Sequence, residues 1–414
     1  MNVRGLGHSA TIAINERCGA LAASGKRVFR LGLGQSPFPV PPEVVTALQR
    51  HAHEKDYLPV RGLWRLREAI AAYTERTAGV AREADDVLVG PGSKELMFLL
   101  QLVYYGDLVV PTPAWVSYAP QAGIIGRKVE LVPTSRHDWM LSPEKLASLC
   151  REDDDRPRIV VLNYPSNPTG ATFKRETLQK LARVARDFRV LLLSDEIYGQ
   201  VHHKGQHVSI ARFYPEGTII SSGLSKWCGA GGWRLGTFVF PESLRWLLEA
   251  MAAVASETFT STSAPIQHAA VTAFEGSPAI DDYLARSRRV LRALGGFIWR
   301  RLRDAEVVCP TPAGGFYLFV DFEAHREGLG ARGIGTARQL CEQLLADTGV
   351  AILPGTDFGR PREELTARIA YVDFDGAAAL DGADAARRLD EPFLREHCGP
   401  VVEAVERLVD WLPP

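Results

Sequence analysis

One lysine, Lys226, lies in the stretch SSGLSKWCGAGGWRLG (221–236), at the end of an apolar run and ahead of a glycine-rich loop that closes on Arg234. A lysine acting as a nucleophile attacks a carbonyl, and an imine is the usual product. An arginine fork suits a phosphate, which it binds through paired N–H donors. Glycines between the two let the backbone approach a small molecule closely. Other apolar runs also end in polar residues. Asn163 and Asn167 follow RIVVL, Asp195, Glu196 and Tyr198 follow RVLLLS, and Ser225 and Lys226 follow TIISSGL. One strand-end aspartate is often a helix cap. Polar residues at three successive strand ends argue for a shared crevice, because ligands of open α/β sheets bind beyond the carboxyl ends of the strands. A carboxylate at such an end suits a buried cation.

These residues need a sheet to carry them. Short apolar runs recur as VLVG (87–90), LVVP (108–111), RIVVLNYP (158–165), RVLLLSDE (189–196), TIISSGLS (218–225) and LGTFVF (235–240). Helical patterns, SKELMFLLQLVYY and KRETLQKLARVARDF, lie between them. Runs that are apolar throughout fit strands buried on both faces of a mostly parallel sheet. Their alternation with helices means a layered α/β fold. From about residue 280 the pattern shifts to a long amphipathic helix (DYLARSRRVLRALGGFIWRRLRDA), a strand (GGFYLFVDF), a helix followed by a strand (TARQLCEQLLADTGVAILPG) and a terminal helix (VVEAVERLVDWL). The apolar positions 401, 402, 405, 408, 409 and 412 keep helical spacing. At the other end, ATIAINERCGALAASG reads as a helix, VFRLGLG as a short apolar run and SPFPVPP as irregular chain. The expected architecture is a three-layer αβα domain (41–280) with a mostly parallel sheet, and a smaller α/β domain (281–414) completed by an N-terminal arm (1–40). The Ala- and Asp-rich stretch 373–392 reads as loop plus surface helix, and its Asp373-x-Asp375-Gly376 start lacks the remaining ligands of a calcium loop.

Composition narrows the function. A net charge of −1 over 414 residues provides no field that steers the protein to nucleic acid or an acidic membrane. Cys18, Cys150, Cys228, Cys309, Cys341 and Cys398 are scattered without a CxxC pair, which argues against a zinc or disulfide framework and for a reducing compartment. The start, MNVRGLGHSATIAINE, lacks the apolar run of a signal peptide, and no apolar stretch is long enough to cross a bilayer. A cytoplasmic enzyme is the expectation. His51-x-His53 and His202-His203 with His207 read as solvated loop histidines, and no metal site is assigned. REDDDRPR (151–158) reads as an exposed loop. Gly32-x-Gly34 lacks the later glycine and helix start of a dinucleotide fingerprint.

Pyridoxal phosphate combines an aldehyde, a protonatable ring nitrogen and a phosphate, so it satisfies the lysine, the carboxylate and the arginine together. At these residues the chain resembles the class I/II aminotransferases of the pyridoxal-phosphate fold-type I superfamily, over nearly its whole length. GLSKWCGAGGWRLG is similar to that family's lysine signature, with Lys and Arg eight apart (234 − 226). NYPSNPTG (163–170) resembles its Asn-Pro-x-Gly turn, and SDEIY (194–198) its Asp-x-x-Tyr element. The resemblance implies that Lys226 bonds the aldehyde and then serves as the general base, that Asp195 keeps the ring nitrogen protonated, and that Tyr198 and Asn167 hydrogen-bond the ring oxygen. GPGSKE (90–95) resembles the phosphate cup, with the backbone N–H groups of Ser93 and Lys94, Ser225 and Arg234 as anchors. PTPAWVSY (111–118) puts Trp115 where an aromatic ring stacks on the cofactor. KDYLPVRG implies that Tyr57 reaches the phosphate of a partner subunit, hence a homodimer with shared active sites. LGLGQSPF and TARIAYV imply that Gly34 and Arg368 meet the substrate, together with Trp115 and Asn167, with Arg368 on its α-carboxylate. One position departs: where the family often has a hydroxyl three residues before the lysine, this chain has Gly223, and Ser222 is the candidate replacement.

The function that this resemblance implies is transfer of an amino group between an L-amino acid and a 2-oxo acid, with glutamate/2-oxoglutarate as the donor couple and aspartate or an aromatic amino acid as the partner. A lyase or synthase that breaks or closes bonds after the same proton loss is the alternative, since fold and cofactor do not fix the reaction. A cofactor-binding transcription sensor comes last, because residues 1–8 leave no room for a DNA-binding extension.

Overall fold

A computed structural model describes residues 10–134, 138–152, 156–386 and 388–413. Its strands are β1 (Phe29–Arg30), β2 (Val87–Gly90), β3 (Asp107–Thr112), β4 (Val129–Pro133), β5 (Arg158–Asn163), β6 (Leu191–Asp195), β7 (Thr218–Gly223), β8 (Gly236–Val239), β9 (Tyr317–Asp321), β10 (Val350–Ala351), β11 (Leu353–Pro354) and β12 (Thr366–Ala370). Seven of them form the main sheet in the order β2-β8-β7-β6-β5-β3-β4. β3 to β7 pair in parallel, and β8 runs antiparallel to both its neighbours.

Successive side chains of a strand face opposite ways, so continuous apolar runs bury both faces. Val110, Val161, Leu193 and Ile219 pack on one face with Leu96, Leu100, Leu247 and Met251, from the helices Ser93–Val103 and Arg245–Ser256. Val109, Val160, Leu162 and Leu192 pack on the other with Leu146, Leu178 and Leu181, from the helices Pro143–Glu152 and Arg175–Asp187. Each fully buried leucine contributes roughly 1.5–3 kcal/mol. The three layers leave the carboxyl ends of β5, β6 and β7 side by side, with Asn163 paired to Asp195 and Asp195 to Ser221.

A second, antiparallel sheet has the order β11-β12-β9. β1 pairs in parallel with β10, and Ala370 N–H donates to the Leu31 carbonyl at 2.8 Å, so the N-terminal segment is built into the structure beside the C-terminal strands. The long amphipathic helix is present as Pro278–Asp304.

Several expectations change. β4 was not anticipated, because VELVP is half-exposed at the sheet edge and carries no continuous apolar run. The helix Gly376–Ala385 exposes Ala377, Ala378, Asp381 and Asp384 as a surface helix does, but it also buries Ala379, Leu380 and Ala383 on its other face, and Asp375 caps it by accepting from the N–H groups of Ala377 and Ala378. An alanine stripe is a weak sequence signal for burial. In the 151–158 run, Glu152 ends a helix and buried Arg158 opens β5, while residues 153–155 lie outside the described residues. The expectation for the start of the chain, residues 1–9, also lies outside them.

Candidate active site

The strand ends meet the first turn of the helix Ser93–Val103 around a cavity of about 560 Å³. Gly34, Ser93, Lys94, Trp115, Asn167, Asp195, Tyr198, Ser225, Lys226 and Arg234 all line it. Tyr57 and Arg368 do not. Tyr57 is 90% exposed within the single chain, whereas Arg368 is 1% exposed, buried behind Asn167.

Lys226 follows β7 at the cavity wall. Its Nζ donates to the Gly34 carbonyl at 2.7 Å and lies 5.6 Å from the centre of the Tyr198 ring. Burial, with the positive charges of Arg368 and Arg234, pushes its pKa down to about 8, against the opposing pull of Asp195. Near neutral pH the amine is therefore poised to lose its proton. Gly34 has to be glycine here, since a Cβ would lie 2.0 Å from the Tyr317 hydroxyl.

Asp195 closes β6 and is buried. Its carboxylate accepts from the Tyr118 hydroxyl at 2.6 Å and from Ser221 Oγ at 3.3 Å. Burial raises its pKa, against hydrogen bonds from Tyr118, the Ile197 N–H and Ser221. None of these partners is a cation, so this is an anionic acceptor whose burial favours a cationic guest.

At the opposite end stand Arg234, Lys94 and Ser93. Arg234 donates to the carbonyls of Gly231 (2.9 Å) and Pro91 (3.2 Å), and its own φ of 56° is one that non-glycine residues rarely adopt. The Lys94 ammonium lies 5.3 Å from the centre of the Trp115 ring, and burial and the charge of Arg234 lower its pKa. Among the described residues, no carboxylate bonds either cation. The opening N–H groups of a helix have no intrahelical partner. Two cations and a helix start fit a phosphate.

Arg368 Nη1 donates to Asn167 Oδ1 at 3.0 Å, and Nη2 donates to the Gly32 carbonyl. Its Nε has no hydrogen-bond partner, and its guanidinium lies over the rings of Tyr317 (4.8 Å) and Phe358 (5.0 Å). Burial lowers its pKa. A buried guanidinium held only by neutral oxygens, with an N–H left over, suits a carboxylate.

Tyr118, Ser221 and Tyr317 were missed from the sequence. Tyr118 stands three residues past Trp115 in PTPAWVSY and opens the helix Tyr118–Ile124; its nearness to Trp115 was the available signal. Tyr317 bonds Tyr198 at 2.8 Å and Gly34 at 3.3 Å, and nothing in GGFYLFVDF separates it from the other aromatics. Ser222 does not line the cavity. Position 223 is glycine because a Cβ there would meet the Leu235 carbonyl at 2.7 Å, where β8 crosses close by.

The histidines also correct the sequence reading. His202 and His203 are buried, and burial pushes both down to about 4. His207 lies 2.8 Å from Glu196, which also accepts from Ser194 and Ser209. Burial pushes Glu196 up, but His207 and the two serines hold it below the usual carboxylate range. His51 ends a helix and is half-buried.

The lysine, the carboxylate and the cationic cup are thus the donor set that pyridoxal phosphate needs: an amine for its aldehyde, an anion for its ring nitrogen and an anion cup for its phosphate. Comparison with known proteins gives the same direction. Residues 26–373 match the family model for class I and II aminotransferases. An aspartate aminotransferase of Geobacillus stearothermophilus is 32% identical over 93% of this chain and 95% of its own. An aspartate/prephenate aminotransferase of Thermus thermophilus is 30% identical over 86% and 90%. The structure of an aspartate aminotransferase from Thermus thermophilus with maleate superposes with a TM-score of 0.83 at 28% identity, covering 98% of this chain and 97% of that one.

Proposed function

The chain belongs to the class I and II aminotransferase family, whose members depend on pyridoxal phosphate, and from that premise we propose how its residues divide the transfer of an amino group from an amino acid to a 2-oxo acid. When bound, the cofactor supplies an aldehyde that bonds amines and a ring that takes up electrons left by a departing proton. Arg234, the N–H groups of Ser93 and Lys94, and the Ser225 hydroxyl hold its phosphate. Asp195, itself positioned by Tyr118 and Ser221, holds the ring nitrogen's proton, and Trp115 packs on the ring face. Arg368 occupies the Asn167 amide oxygen, which leaves the amide N–H donors for the ring oxygen beside the Tyr198 hydroxyl. Arg368 and Gly34 receive the substrate's α-carboxylate end. Lys226, with its pKa drawn towards neutrality, carries the proton at the substrate α-carbon.

The observation that carries this reading is the convergence of Lys226, Asp195 and the Arg234–Ser93–Lys94 cup on one cavity. The relatives reported above are transaminases, which favours amino-group exchange over a lyase or synthase. For the substrate we propose a dicarboxylic amino acid, aspartate, exchanging with glutamate/2-oxoglutarate; aromatic amino acids are the second choice. The names of the relatives support aspartate, and maleate, bound in one of them, is a dicarboxylate. A panel of amino acids assayed with 2-oxoglutarate tests this. Equal loss of aspartate and gain of glutamate is expected, and ammonia release without an acceptor contradicts it.

The exposure of Tyr57 supports a homodimer in which it reaches the partner's phosphate site. A fully active monomer at high dilution contradicts that. We also propose a division into arm (1–40), large domain (41–280) and small domain (281–414), supported by the separate sheets, and a cytoplasmic location, supported by the free cysteines. No helix among the described residues is long and apolar enough to cross a membrane.

A further inference from the structure

We propose that His51, Glu54 and His268 form a binding site for a borderline divalent cation, Zn²⁺ foremost. His51 is the last residue of the helix Pro42–His51, and Glu54 sits just past it, its N–H bonded to the His51 carbonyl at 3.1 Å. His268 comes from the helix Ala264–Glu275, which packs against the first. One ligand atom from each of the three lies within 4.8 Å of the others, and all three side chains are half-buried. His51 Nδ1 is 3.5 Å from Glu54 Oε1, and the His51 and His268 rings stack at 4.7 Å.

Zinc–nitrogen bonds of about 2.0–2.1 Å put tetrahedral ligands about 3.3 Å apart. The His51–Glu54 pair already has nearly that spacing; because imidazole binds through a lone pair in its ring plane, one of the two stacked rings must turn out of the stack to share the ion. His53 brings its Nε2 to 3.8 Å from the same Glu54 oxygen, and its exposed side chain is free to swing in as a fourth ligand. Imidazole and carboxylate donors in this number suit zinc and its neighbours better than calcium or magnesium. The carboxylate also offsets the cation charge that two imidazoles alone leave uncompensated. Nothing in the transamination chemistry uses these residues. Their place has a consequence, however. Gln267, next to His268, accepts from the Leu63 N–H at 2.8 Å, so the helix Ala264–Glu275 already grips the far end of the segment that carries Tyr57. A cation at His268 fixes the near end as well.

The test uses the untagged, cofactor-loaded enzyme, titrated with Zn²⁺ by calorimetry and with Co²⁺ by its visible d–d bands. One cation per chain is expected, with Co²⁺ showing the intense bands of four-coordinate geometry. His268→Ala and Glu54→Gln should each weaken zinc binding about tenfold or more, since even outer-sphere losses cost that much, while the cofactor absorbance stays unchanged. Because the site is half-exposed, His51→Asn serves as a third variant should either of the others lose cofactor. Absence of stoichiometric zinc, or equal binding by wild type and all folded variants, overturns the proposal.

Discussion

The two ends of the cavity are finished differently. At the phosphate end, Arg234 and Lys94 bond to no carboxylate among the described residues, and the helix start at Ser93 presents N–H groups with no intrahelical partner. At the proposed substrate end, Arg368, which lies behind Asn167 rather than on the cavity wall, is already held by the Gly32 carbonyl and Asn167, and Lys226 by the Gly34 carbonyl. The first end is a standing receptor built on one sheet. The second is assembled from β12, the Asn167 turn and the N-terminal segment, and under the proposed function its donors exchange backbone carbonyls for the substrate. Cofactor binding and substrate binding should therefore respond to different mutations.

Lys226 stands where the two ends meet, and its loss is the largest effect expected. Lys226→Ala should lower turnover about 10⁴-fold or more, at the upper end of general acid–base effects, while the phosphate end still retains cofactor. A variant turning over at wild-type rate breaks the account. Next, Arg368→Lys should lower kcat/KM by about 10- to 100-fold, mostly through KM, because the planar fork is lost. Its cofactor spectrum should match wild type. Arg234→Ala should do the reverse: cofactor affinity falls by about 10- to 100-fold, the worth of one or two charge-assisted hydrogen bonds, and the KM for the amino acid holds at saturating cofactor. If the two variants shift the same parameter, the ends are not separate. Tyr118→Phe should cost about tenfold in kcat, as one hydrogen bond to a charged group.

A separate effect, on stability rather than turnover, concerns pH. In the cofactor-free protein the Lys226 pKa is about 8, against about 10.4 for an unfolded lysine. Between those values the unfolded chain binds more protons, so stability rises with pH across that window. Below it the half-buried ammonium is a constant cost. Urea midpoints at the two ends of the window should differ more for wild type than for Lys226→Met, and equal differences contradict the burial argument.

What the sequence disclosed follows the same division. Lys226, Asp195, Asn167 and Arg234 sit in short local motifs at ends of continuous apolar strands, and strand-end placement is a local property. β4 was hidden because an edge strand needs no continuous apolar run. Tyr118 and Ser221 act on Asp195 from separate elements, and Tyr317 reaches Gly34 across the chain. Such pairings depend on tertiary packing, which no local pattern encodes. The buried histidines were misread for the same reason: the carbonyls of Pro312 and Gly315 that flank the His203 ring nitrogens lie more than a hundred residues away. Gly223, which looked like a lost hydroxyl, is instead a steric requirement of β8.

Lys226 is the amine proposed to meet the cofactor, and every other role depends on it. Borohydride reduction of the pyridoxal-phosphate-loaded enzyme, followed by digestion and mass spectrometry, tests it directly. The reduced cofactor is expected on the peptide containing Lys226 and on no other lysine. Label on Lys94 or elsewhere, or no label at all, contradicts the account.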